Sequence, residues 1–209
     1  MERRRAGILI FNDVEVLDFC GPFEVLSVAR LDEERRRQDP SPFEVLLVAE
    51  TLSPVTTAGG MQVLPMADFA HCPALDLLLV PGGMGTRREM LNEAVLRFVR
   101  AQAAGAELTA SVCTGALVLG KAGLLDGLRA TTHWRSLDLL RELCPGVEVD
   151  AVSQVVDQGR IMTSAGIAAG IDLALMIVRR WHGDAVARAT ARHMEYPFPE
   201  GQERRVAVK

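Results

Sequence analysis

Glu107-Leu108-Thr109-Ala110-Ser111-Val112-Cys113-Thr114-Gly115-Ala116, residues 107–116, is the stretch from which the rest of the chain can be read. An apolar run from Glu107 to Val112 stops at a cysteine, and the pattern from Gly115 to Ala122 is helical. A strand that turns abruptly into a helix leaves the turn residue at the carboxyl edge of a sheet, in a nucleophile elbow. The helix N-terminus there offers unpaired N–H groups and a partial positive charge. Such surroundings lower a cysteine pKa, so Cys113 is expected to ionise readily and to do cysteine chemistry.

Working outward, short apolar or β-branched runs alternate with longer helical patterns, the signature of a parallel sheet covered by helices. The expected strands are Ala6-Phe11, Phe43-Ala49, Leu75-Val80, Glu107-Val112 and Arg160-Thr163. The expected helices are Gly21-Arg36, Arg88-Ala104, Gly115-Ala122, Ser136-Leu143 and Ile167-His182, with a last one from Asp184 to Met194. Val55-Thr57 and Gln62-Pro65 read as a hairpin, and Val147-Val149 and Gln154-Val156 as further short strands. The fold class is therefore α/β: a doubly wound, mostly parallel sheet with helices on both faces, in one domain spanning residues 1–209.

Bulk properties exclude several classes. With 209 residues, 49% apolar and 24% charged, the chain can bury a sizeable core. A net charge of −4 gives no basic footprint for nucleic acid. Arg3-Arg4-Arg5 and Arg35-Arg36-Arg37 are short runs, and the second is read as a solvated face at a helix end that compensates the helix dipole. No apolar stretch approaches the roughly 20 residues that span a bilayer, and no signal peptide is recognisable, so a cytoplasmic protein is expected. Cys20, Cys72, Cys113 and Cys144 lie far apart without metal-ligand spacing; a metal site and a disulfide framework are both disfavoured.

Open α/β sheets bind ligands beyond the carboxyl ends of their strands. Three segments fall there: Val16-Pro22, Pro81-Thr86 and Cys113-Gly115. In the second, Gly82 and Gly83 let backbone approach a ligand, and their amides are candidate oxyanion donors, unless the segment is merely a tight turn. Asp18 reads either as an N-cap for the helix beginning near Gly21-Pro22 or as a partly desolvated acid/base beside the thiol. The Thr114 N–H is the natural oxyanion donor for anything attached to Cys113, although Thr114 also suits a helix cap. His133 lies in the β-prone Ala130-Thr131-Thr132-His133-Trp134 and is either structural or substrate-binding. Thr114 follows the cysteine, so no histidine stands directly beside it to form a Cys-His hydrolase pair.

These residues resemble the ThiJ/PfpI superfamily, which has the class I glutamine-amidotransferase-like, flavodoxin-like fold. The likeness rests on Ile8-Phe11, Leu17-Val25, Leu79-Gly83, Ser111-Ala116, Gly123-Gly127 and Ala130-Trp134, in that order. Within the superfamily the chain is most similar to the isocyanide hydratase branch and to the amidase-like domains of AraC-type regulators, which share Cys-Thr-Gly and Thr-Thr-His-Trp. Those regulators carry a helix-turn-helix region after this domain, whereas this chain ends soon after Tyr196-Pro199, so DNA reading is disfavoured. Proteases and deglycases of the superfamily have glutamate where Asp18 stands, and the proteases have histidine where Thr114 stands; both departures put those activities in doubt.

The resemblance implies that Cys113 is the nucleophile and Asp18 the acid/base, with Gly83 and Thr114 around the substrate. It further implies a homodimer and no cofactor. The expected reaction is hydration of an organic isocyanide to an N-substituted formamide. The alternatives are a small-molecule or redox sensor with little turnover and another hydrolase or lyase acting on a small carbonyl compound.

Overall fold

The computed structural model describes residues 3–201 and 203–206. At its centre is a seven-stranded sheet in the order β10-β11-β7-β6-β1-β2-β5. The strands are β1 (Arg4–Leu9), β2 (Phe43–Ala49), β5 (Ala67–Asp68), β6 (Leu77–Val80), β7 (Leu108–Val112), β10 (Val155–Asp157) and β11 (Ile161–Ser164). Every neighbouring pair is parallel except β10 with β11. Leu77, Leu78, Leu79 and Val80 are fully buried, as a central strand covered on both faces requires. Burying each such side chain is worth about 1.5–3 kcal/mol. Two small sheets stand apart: β3 (Val55–Thr56) with β4 (Gln62–Val63), which is the expected hairpin, and β8 (Arg129–Ala130) with β9 (Glu148–Val149).

Among the described residues seven helices surround the sheet: α1 (Val16–Val28), α2 (Thr86–Glu89), α3 (Glu93–Gly105), α4 (Gly115–Lys121), α5 (Leu137–Leu143), α6 (Ala169–His182) and α7 (Asp184–His193). Helix α1 packs on α6 and α6 on α7, while α3 and α4 pack together. The chain passes from β1 to β2 on one side and later places β6 on the other. The crevice at the carboxyl ends of β1 and β6 is thus a topological switch point, where such sheets bind ligands.

The first helix departs from expectation at both ends. It starts at Val16 rather than Gly21, with Pro22 inside it and Glu15 as a residue without a side-chain cap. Asp18 is therefore in its first turn and is not its N-cap. Tertiary anchoring accounts for the early start: the Glu15 N–H donates to the Gly82 carbonyl at 2.9 Å. The helix ends at Val28 because arginines take its last carbonyls. Arg30 donates to Ser27 and Ala29 at 2.9 and 2.7 Å, and Arg36 returns to Val28 at 2.6 Å. The 35–37 run thus lies in a turn beyond the helix, yet Arg36 still brings positive charge to the helix C-terminus.

The expected helix Arg88-Ala104 is two helices, since the Asn92 side chain accepts the Ala94 N–H at 3.0 Å and caps a fresh start at Glu93. The β-prone piece around His133 leaves the strand after Ala130 and becomes a 3-10 turn at Trp134–Ser136.

Candidate active site

Three strand ends converge on one buried spot. Cys113 follows β7 with φ +56°, the left-handed region that a side chain rarely occupies, and this is the strained elbow expected of the sequence. Hydrogen bonds hold the turn in place. The Cys113 N–H reaches the Ser164 and Ala165 carbonyls at 3.2 and 3.1 Å, and its carbonyl accepts the Thr132 hydroxyl at 2.7 Å. Thr132 is fully buried, so the β-prone segment around His133 supports the elbow.

Asp18 reaches the same spot from α1 and is wholly buried. Its Oδ2 accepts the Gly82 N–H at 2.9 Å, while Oδ1 is buried without a settled partner. The Cys113 thiol lies within hydrogen-bonding influence of this carboxyl. Burial raises the Asp18 pKa to about 7, against the opposing pull of the Gly82 N–H and the thiol; the Glu15 carboxylate adds to the rise. The carboxyl is thus tuned to exchange a proton near neutrality.

The thiol itself reverses one expectation. Burial first, and the Asp18 carboxylate second, push the Cys113 pKa up rather than down. The N–H groups of Thr114 and Ile167 act on the sulfur in the opposite direction but do not outweigh desolvation. Cys113 is only 6% exposed and at rest is a neutral thiol beside a proton acceptor.

The glycines serve a different purpose from the one their amides suggested. The Gly82 N–H is committed to Asp18 and the Gly83 N–H to Thr114 Oγ1 at 3.0 Å, so neither is free for an oxyanion. Their role is space. A Cβ on Gly82 would lie 2.6 Å from the Thr114 nitrogen and 2.7 Å from Asp18 Oδ2, and Gly83 has φ +126°. The donors that do face the sulfur are the Thr114 and Ile167 amides.

Ile167 was missed as a site residue, having been read only as the start of a helix. It has φ +53°, and α6 begins two residues later. A β-branched residue in that region is strained, and here it presents an N–H to the thiol. Gly166, just past the carboxyl end of β11, was the available signal.

His133 is near but not paired with the thiol. Its Nδ1 accepts the Arg135 N–H at 3.3 Å and its ring lies against Gly166, leaving no room there for a side chain. Burial, then the positive charges of Arg135, Arg204 and Arg87, lower its pKa, so the ring is neutral at pH 7. A cleft of about 330 Å³ at the ends of β1 and β2 is lined by Asn12, Glu50, Arg88 and Glu89 among others, and by neither Asp18 nor Cys113. The candidate site is therefore taken from the meeting of Asp18 and Cys113, both buried, and not from this cleft. Among the described residues no group of His, Cys, Asp and Glu is placed to hold a metal ion, and no helix is long and apolar enough to cross a membrane.

Comparison with known proteins shows the family. A model of the DJ-1/PfpI family matches residues 4–180. Isonitrile hydratase of Pseudomonas putida is 42% identical over 199 residues, 93% of this chain and 81% of that protein. The HTH-type transcriptional regulator CdhR of Pseudomonas aeruginosa is 35% identical over 86% of this chain, which spans 51% of the regulator. Among solved structures, a ThiJ/PfpI family protein from Pseudomonas syringae superimposes with a TM-score of 0.82 at 30% identity, covering 96% of this chain and 78% of that one.

Proposed function

Because the chain belongs to the DJ-1/PfpI family, we propose that it hydrates an organic isocyanide to an N-substituted formamide, with Cys113 as nucleophile and Asp18 as acid/base. The observation that carries this reading is the juxtaposition of a buried thiol at a strained elbow with a carboxyl held near neutrality. Similarity to isonitrile hydratase over most of both chains supports the substrate class.

The Asp18 carboxylate takes the thiol proton as Sγ attacks the terminal isocyanide carbon, and the Thr114 and Ile167 N–H groups stabilise charge on the sulfur. Asp18 then delivers that proton to the carbon, giving a thioimidate, R–N=CH–S–Cys113. Water adds to this carbon as Asp18 takes one of its protons and passes it to the nitrogen, and Asp18 then takes the second from the hydroxyl of the tetrahedral R–NH–CH(OH)–S–Cys113 adduct. Cleavage of the C–S bond releases R–NH–CHO and, with the proton returned from Asp18, restores the thiol. The net reaction is R–NC plus water to formamide.

The protein acts as a single-domain cytoplasmic homodimer in this reading, and sedimentation of the purified chain tests the dimer. A second reading, a small-molecule sensor with little turnover, is favoured by the likeness to the regulator CdhR. A redox sensor is the weaker form of it, since a buried thiol with a raised pKa lacks the thiolate character that oxidants select. Incubation with an aryl isocyanide separates the readings: formamide formation above a Cys113→Ala control supports the hydratase, and its absence leaves the sensor.

A further inference from the structure

Residues Thr131–Ser136, the segment that buttresses the elbow, are ringed by three guanidinium groups. Arg204 donates from the C-terminal tail to Thr131 Oγ1 and the Thr132 carbonyl at 2.9 and 2.8 Å, and its Nε is buried without a partner. Arg87 reaches Ser136 Oγ at 3.4 Å and the Gly83 carbonyl at 3.3 Å, both long contacts for a guanidinium. Arg135 lies over the Trp134 ring at 4.8 Å. Among the described residues none of the three forms an ion pair. All three act on His133, Glu15 acts on it with the opposite sign and Asp150 acts on Arg204, so three cations stand against two carboxylates. Unpaired positive charge at Arg87, which reaches the carbonyl of Gly83 while the Gly83 N–H donates to Thr114 beside the thiol, is what an anionic ligand would neutralise.

We propose that this segment is a subsite for a carboxylate carried by the substrate, seated by Arg87 and Arg135 while the electrophilic carbon reaches Cys113. Arg87 and Arg135 make the contact, and Arg204 holds the segment in place from behind. Trp134, 44% exposed beside them, offers a flat face to an aryl body between the two ends. The substrate class is therefore an isocyanide bearing a carboxylate, an inference that rests on the hydratase reading and narrows it.

The test compares 4-isocyanobenzoate with its methyl ester. The expected kcat/KM favours the acid by about tenfold or more at low ionic strength and loses that preference as salt screens it. In the double variant Arg87→Gln/Arg135→Gln the ratio collapses towards one, and Arg87→Lys/Arg135→Lys recovers part of it. Equal kcat/KM for the two substrates, or a preference that survives in the double Gln variant, overturns the proposal. Calorimetric binding of 4-formamidobenzoate and of its methyl ester to the Cys113→Ala protein gives a readout without turnover. Tight binding of the acid alone, with no isocyanide turned over by the native protein, upholds the subsite and removes the hydratase reading. Turnover without charge preference does the reverse.

Discussion

The Gly82 N–H holds one oxygen of the Asp18 carboxyl at 2.9 Å, while the other oxygen is buried with no settled partner of its own. One end of the carboxyl is thereby fixed and the other is left for the thiol. Desolvation raises its pKa to about 7, so the same group can take a proton and give it back within the physiological range.

Activity should follow that titration. The carboxylate form is the proton acceptor for the thiol, so kcat/KM for an aryl isocyanide should rise with pH through about 7 and then level off. Asp18→Asn should lower the rate about 10²–10⁴-fold and abolish this rise, as general acid–base help is worth that much. Cys113→Ala should leave no formamide at all. A profile of the native protein that is flat from pH 5.5 to 8.5 would exclude Asp18 as the base.

Stability carries the opposite sign. The folded-state pKa of Asp18 lies above its ordinary 3.8, so the native state binds the proton more tightly than the unfolded chain. The associated stability is fully present below about pH 4 and is lost as pH rises to about 7, a change on the order of a few kcal/mol. Asp18→Asn does not titrate. Its melting temperature should exceed that of the native protein by several degrees at pH 8 and by much less at pH 4.5, and scanning calorimetry at the two pH values decides the matter.

Substituting Gly82 should damage the site more than the fold around it. A methyl group there meets the Thr114 nitrogen at 2.6 Å and Asp18 Oδ2 at 2.7 Å, both firmly held. Overpacking of this kind costs typically about 1–3 kcal/mol, and the displaced carboxyl loses its alignment with the thiol. Gly82→Ala should therefore combine a modestly lowered melting temperature with a loss of turnover at least as large as that of Asp18→Asn.

Thr132 is a positioning residue for the elbow. Its hydroxyl donates to the Cys113 carbonyl at 2.7 Å in a fully buried setting where the other donor, the Ala116 N–H, is at 3.5 Å, and losing the short bond costs about 1–3 kcal/mol. Thr132→Val should lower both stability and kcat, with little change in the pH at which activity half-appears. Thr132→Ser, which keeps the hydroxyl, should restore kcat; a serine variant as slow as the valine one would show that the hydroxyl is not what matters.

Local pattern carried a large part of this molecule. The alternation of apolar runs with helical periods gave the parallel sheet, and the break at Val112-Cys113-Thr114-Gly115 gave the elbow, because burial on both faces and a sharp strand-to-helix turn leave their marks within a few residues. Helix ends were less legible. Helix α1 starts early because a carbonyl of the distant Gly82 takes the Glu15 N–H, and it stops early because Arg36 folds back on Val28.

Ile167 escaped notice for a related reason. Its φ of +53° is a strain that an isoleucine does not announce, and the adjacent Gly166 was the one local mark of an unusual turn. The glycine amides were misread because their partners, Asp18 and Thr114, come from other strand ends.

The amino-acid order alone determined the sheet, its winding and the identity of the thiol and carboxyl worth watching. Only the tertiary structure decided their protonation, and it did so against the local expectation: the helix terminus beside Cys113 favours a thiolate, but removing sulfur and carboxyl from water disfavours charge more strongly. Desolvation is a property of everything packed around a group, which its sequence neighbours do not record.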